Sequence, residues 1–66
     1  MKNYGGVKIL TLGSAEEAKF FCFSYQDQLI TNGYGDPLTL YKSGNEKEDI
    51  LKTKGFIDCL IALGQI

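Results

Sequence analysis

The chain has no histidine, no arginine and no tryptophan, a single proline, and two cysteines among its 66 residues. Each shortage removes a class of chemistry. Without His, no side chain has an ordinary pKa suited to general-base work near neutral pH, and neither a Ser-His nor a Cys-His pair can form. Two thiols alone do not complete a tetrahedral zinc site. Without Arg there is no guanidinium fork to read a guanine edge or grip a phosphate with two parallel hydrogen bonds. No apolar run approaches the ~18 residues that a membrane span requires. The stretch MKNYGGVKILTLG carries a short strand-like run in place of the apolar core of a secretory signal. These features lead us to expect a cytoplasmic chain whose two thiols stay reduced.

What is present is ordinary in amount. Apolar residues make up 44% of the chain, and seven Lys against eight Asp plus Glu leave a net charge of −1. A chain of this length is expected to form one small domain spanning residues 1–66. A core of that size rarely supplies more than about 3–5 kcal/mol without a staple. With at most one disulfide and no metal site in prospect, self-association is the staple we expect.

Residues 7–12, VKILTL, read as a strand preceded by Tyr4-Gly5-Gly6. Ser14-Ala15-Glu16-Glu17 fits a capping box, in which Ser14 and Glu17 satisfy each other's backbone N–H groups. A helix over residues 15–30 is the consequence. Ala18, Phe21, Cys22, Tyr25 and Leu29 would form its core stripe, and Asn32-Gly33 its stop. The aromatic run 20–25 also suits a strand, but both of its alternating faces are mostly apolar, and the cap upstream decides for the helix. Residues 38–42 alternate and read as a second strand. Asn45 then caps a second helix, with Glu48 in the capping-box position and Gly64 as its stop. Gly55 inside it marks a weak point. The expected fold class is α+β, in the order β-α-β-α, with a two-stranded sheet completed by dimerisation.

Candidate chemistry is sparse. Gly13-Ser14 between strand and helix lacks any phosphate-loop pattern, and Glu16 and Glu17 would repel an anion. Most carboxylates fall in first helical turns or in the Asp36-Pro37 turn, where capping explains them. Asp58 is expected to pair with Lys54 one helical turn away. Cys22 and Cys59 sit on apolar stretches and read as buried packing residues. The lysines are scattered, which is no electrostatic footprint for nucleic acid. No catalytic, metal-binding or cofactor-binding residue is assigned.

The surplus is hydrophobic. On the expected first helix, Phe20, Phe23 and Ile30 lie off the core stripe and form a second apolar patch, which we assign to an oligomer interface. The end of the second helix, FIDCLIAL, is apolar nearly all round and must be covered on more than one side. Tyr34-Gly35-Asp36 forms a loop in which flanking glycines let the Tyr34 ring stand clear, and it is assigned to an outside partner. The reading is a non-enzymatic, homodimeric protein-binding module that inhibits or adapts a larger protein, a profile shared by small accessory proteins of phages and mobile elements. The alternative, a small dimeric nucleic-acid-associated regulator, is disfavoured by the missing Arg and the negative charge.

Overall fold

The computed structural model describes residues 2–12 and 19–66. Its elements are β1 (Asn3–Tyr4), β2 (Val7–Leu12), β3 (Phe20–Tyr25), β4 (Gln28–Leu29), β5 (Thr39–Tyr41) and α1 (Glu46–Ala62). The fold is α+β: one antiparallel sheet with a C-terminal helix.

β1 and β2 form a hairpin, with Tyr4 opposite Val7 and Asn3 opposite Lys8. Its two-residue turn is Gly5-Gly6, at φ +56° and +81°. Both central positions of such a turn need positive φ, which glycine adopts at no steric cost. β3 pairs with β2 along its whole length, from Val7 opposite Tyr25 to Leu12 opposite Phe20. Its other edge is shared. β4 pairs with Ser24 and Tyr25, and β5 pairs with Phe20, Phe21 and Cys22. β3 is therefore the strand on which the sheet is built.

The expected helix over 15–30 is corrected here. From Phe20 onward that segment is strand, turn and strand. Its first residues, including the Ser14–Glu17 capping box, Ala18 and the Gly13-Ser14 junction, lie outside the described residues. The chain reverses at Gln26-Asp27, two non-glycine residues at φ +51° and +63°. The sheet is thus antiparallel and five-stranded within one chain. Among the described residues the β-α-β-α order gives way to strands followed by one helix.

Register sorts the side chains. Val7, Ile9, Phe21, Phe23, Tyr25 and Leu40 share one face, because positions two apart point the same way and paired residues share a side. α1 covers this face. Val7, Ile9, Phe23 and Ile57 form the buried cluster, and the Phe23 and Phe56 rings stand 5.0 Å apart between centroids. The helix buries Asp49, Thr53, Ile57 and Leu60, a stripe at helical spacing. It runs unbroken through Gly55. Leu63, at 73% exposure, and Cys59 remain outside, so the apolar end of α1 is covered on one side only and Cys59 is not a core residue.

Both ends of α1 are closed. Asn45 Oδ1 accepts from the Glu48 N–H at 3.2 Å, as expected of a cap. The Asn45 N–H that Glu48 was expected to hold goes to Ser43 instead, and Asp49 holds Ser43. Asp49 Oδ1 accepts from the N–H and the hydroxyl of Ser43, at 2.9 and 2.8 Å, while Ser43 Oγ accepts from the Asn45 N–H. At the far end Gly64 has φ +73°, the Gln65 N–H donates to the Leu60 carbonyl and the Gly64 N–H to that of Ile61. This is the Schellman pattern that makes glycine a helix stop.

Two substitutions test these local readings. A Cβ at Gly55 meets no atom within 4 Å, so Gly55→Ala should stabilise the fold by about 0.8–1 kcal/mol. Replacing Gln26-Asp27 by Asn-Gly relieves two left-handed non-glycine positions and should add about 1 kcal/mol, raising the melting midpoint by roughly 4–8 °C. Calorimetry reads both. A lower midpoint for the Asn-Gly variant would contradict the hairpin at 26–27.

Candidate functional site

The second face of the sheet carries no described element, and its outer positions are exposed around Cys22, which its neighbours bury to 5% exposure. Leu12, Phe20 and Tyr41 form one row across β2, β3 and β5, and Leu10, Cys22 and Thr39 form the next. Lys8, Ser24 and Leu29 follow across β2, β3 and β4. Leu10, Leu12, Phe20, Leu29 and Tyr41 are 40–58% exposed. Phe20 and Tyr41 meet edge to face at 5.7 Å between ring centroids. No described element lies across these rows. A solvated sheet face usually carries polar residues in alternation; here the first two rows hold no charge.

The expected patch of Phe20, Phe23 and Ile30 is dispersed by this register. Phe20 belongs to this second face. Phe23 is fully buried under α1, and Ile30 packs against the same core. A spacing of three residues shares a face on a helix but not on a strand. Leu10, Leu12 and Tyr41 were missed because they lie on three segments that only the sheet register brings together.

The second feature is an excursion in the edge strand. The Ile30 N–H donates to the Phe23 carbonyl at 2.8 Å, extending the β4 ladder to Phe23. Thr39 stands opposite Cys22, the next position along β3. The eight residues 31–38 therefore interrupt what is otherwise one continuous partner strand. Thr31 bridges Pro37, the Leu38 N–H donates to the Ile30 carbonyl, and Asn32 Oδ1 accepts from the N–H groups of Tyr34 and Asp36 at 2.8 and 3.1 Å. Gly35 takes φ +87° at the tip. Tyr34 is 93% exposed, so its ring stands clear of the fold. Gly35 and Asp36 are exposed beside it.

Charged groups elsewhere hold the fold. The Tyr4 hydroxyl donates to Asp58 Oδ1 at 3.0 Å, tying the first hairpin to α1. That hydrogen bond raises the Tyr4 pKa above its ordinary 10.0, with desolvation and the Asp58 charge adding to it. Asp58 was expected to pair with Lys54; the Lys54 ammonium stands over the Tyr4 ring instead, 5.8 Å from its centroid. A cavity of about 320 Å3 opens between the sheet and the start of α1, lined by Phe21, Lys42, Asp49 and Ile50 among others. Two of its polar side chains are engaged: Lys42 sits over the Phe21 ring, and Asp49 holds Ser43. Among the described residues, no three His, Cys, Asp or Glu side chains gather as metal ligands, and no helix is long and apolar enough to cross a membrane.

Asp49 gives a pH signature. The Ser43 N–H lowers its pKa below the ordinary 3.8, assisted by the Ser43 hydroxyl, the Gly44 N–H and Lys52, with desolvation opposing. A depressed carboxylate stabilises the fold fully above its unfolded pKa, and the benefit is lost as pH falls through the folded value. Wild type should therefore exceed Asp49→Asn in stability at neutral pH, and the gap should close on acidification below pH 3.8. Urea unfolding at several pH values measures it. A gap independent of pH would show that the charge of Asp49 contributes nothing.

No protein-family model, no curated protein and no solved structure matches the chain.

Proposed function

We propose that the chain is a small non-enzymatic protein-binding module, an inhibitor or adaptor of a larger protein, and that the 31–38 excursion is its partner-binding element. The observation that supports this reading is Tyr34, 93% exposed at the tip of a loop that the sheet does not need. Fixing eight extra residues costs backbone entropy of about 1–2 kcal/mol each. Asn32 and the Thr31–Pro37 bridge hold the tip in one shape. A tyrosine offers large contact area for few rotatable bonds and is enriched among the residues that dominate binding energy. A pre-ordered loop also loses less freedom on binding. Asp36 beside the ring supplies a carboxylate for a donor at the rim of a partner pocket.

A rival explanation is that the excursion only breaks the sheet edge and so discourages edge-to-edge pairing. The register separates the two, because joining Ile30 directly to Thr39 leaves an unbroken strand opposite β3. That excised variant should fold. The test is quantitative capture from lysates of the cells that make the protein, with wild type, Tyr34→Ala and the excised variant immobilised in parallel. We expect a partner held by wild type, weakened by more than ~1 kcal/mol in Tyr34→Ala and lost on excision. Equal capture by all three would refute the assignment of the loop.

A further inference from the structure

We infer that Asn32 is a site of self-modification: the Gly33 peptide nitrogen attacks the Asn32 side-chain amide, and the residue passes through a cyclic imide to an aspartyl or isoaspartyl form. This goes beyond the binding reading of the loop and does not depend on it.

Asn32-Gly33 was expected to stop a helix, but β4 precedes it instead. Access to the Gly33 nitrogen is the first ground. Gly33 is exposed, and a Cβ built on it meets nothing within 4 Å. Among the described residues no acceptor takes its N–H. The nitrogen can therefore give its proton to solvent base, and with no side chain beside it the approach is unobstructed.

Position is the second. Asn32 Oδ1 accepts from the Tyr34 N–H at 2.8 Å, which makes an Asx turn. The ring closed by that bond contains the Gly33 nitrogen, so the amide carbon is folded back along the chain toward it. Holding the two reacting groups together in the ground state removes part of the entropic barrier to their reaction.

The third ground is the pair of donors on the amide oxygen. The Asp36 N–H donates to the same Oδ1 at 3.1 Å. Attack at the amide carbon turns this oxygen into an oxyanion, and two N–H groups already aimed at it stabilise the developing charge.

The atoms balance without an oxidant or a reductant. The bond from the Gly33 nitrogen to Asn32 Cγ forms as that nitrogen gives up its proton. The Cγ–Nδ2 bond breaks, and Nδ2 takes up a proton and leaves as ammonia. Water then opens the imide. Attack at Cγ leaves aspartate; attack at the Asn32 main-chain carbonyl leaves an isoaspartyl link whose backbone runs through Cγ. Either product adds a negative charge near Asp36, and the isoaspartyl link lengthens the loop's backbone by a methylene.

Incubation of the purified chain in mildly alkaline buffer, followed by mass spectrometry of its peptides, tests this. Residue 32 should gain the mass of water less ammonia, while Asn3 and Asn45, followed by Tyr4 and Glu46, stay unchanged. Gly33→Ala has open space for its methyl group, so it should keep the wild-type circular dichroism and slow the gain about tenfold. If that variant loses its fold, Asn32→Asp, which keeps the Oδ1 acceptor, serves in its place and must abolish the gain. The same chain unfolded in urea measures what the fold contributes, and native Asn32 should convert at least as fast. Slower conversion in the native chain overturns the inference, because the hydrogen bonds would then be protecting the amide. So does equal conversion at Asn3 or Asn45, or a Gly33→Ala chain that reacts at the wild-type rate. Partner capture enters none of these readings, so their failure and that of the loop assignment remain distinct.

Discussion

Everything in this structure depends on one strand being apolar on both sides. β3 is paired along both edges, to β2 on one and to β4 and β5 on the other. Phe23 on one side fills the space beneath α1, against Phe56 and the Ile57 cluster. Deleting a buried phenyl ring costs about 3–5 kcal/mol, which is comparable to the whole stability a core of this size provides. Phe20 on the other side is 40% exposed, with no described element across it, and the same pleat that buries one ring presents the other. That exposure is thus a geometric consequence of giving β3 aromatic residues on both of its faces.

The helix is held to the sheet by contacts at both ends as well as by its buried stripe. Asp49 grips Ser43 where β5 leads into α1, and Tyr4 reaches Asp58 from the first hairpin. A Cβ on Gly5 would lie 3.2 Å from the Ile61 Cδ1, so the hairpin turn itself packs closely on the helix. These contacts restrain α1 without drawing on the second face of the sheet or on the 31–38 loop. The loop to which we assign binding is therefore separable from the groups that maintain the fold.

Some of this was legible in the sequence. The bounds of β2, the Asn45 cap, the Gly64 stop and a strand within 38–42 follow from local signals of well-understood origin, and so does the exposure of Tyr34 in a glycine-flanked loop. The rest fails for identifiable reasons. Phe20–Tyr25 reads as helix from its two apolar faces and the capping box before it, yet that two-sidedness also fits a central strand paired along both edges. The turn after it uses Gln26-Asp27, which lacks the glycine or asparagine that usually marks a two-residue hairpin. Gly5-Gly6 did carry that mark, but β1 is only two residues long and gave no alternation to pair with it. Ser43 took the Asn45 N–H expected to go to Glu48, and Asp49 holds Ser43 in turn, because Ser43 lies two residues before the cap, outside the usual box. The excursion at 31–38 cannot be seen locally at all. It is defined by Ile30 and Thr39 standing opposite neighbouring residues of β3.

That shared strand can be tested at atomic resolution by nuclear Overhauser contacts in solution. In an antiparallel ladder the pairs that exchange no hydrogen bonds bring their Cα atoms to about 4.5 Å, close enough for strong Hα–Hα cross-peaks. The Ile9 N–H bonds to Lys2 and the Ile30 N–H to Phe23, so the alternation along β2 and β3 makes Ile9–Phe23, Ser24–Leu29 and Cys22–Thr39 such pairs. The account predicts all three cross-peaks, the last two together reporting the interrupted partner strand. Strong sequential amide–amide contacts through Phe20–Tyr25, with the three cross-peaks missing, would contradict it.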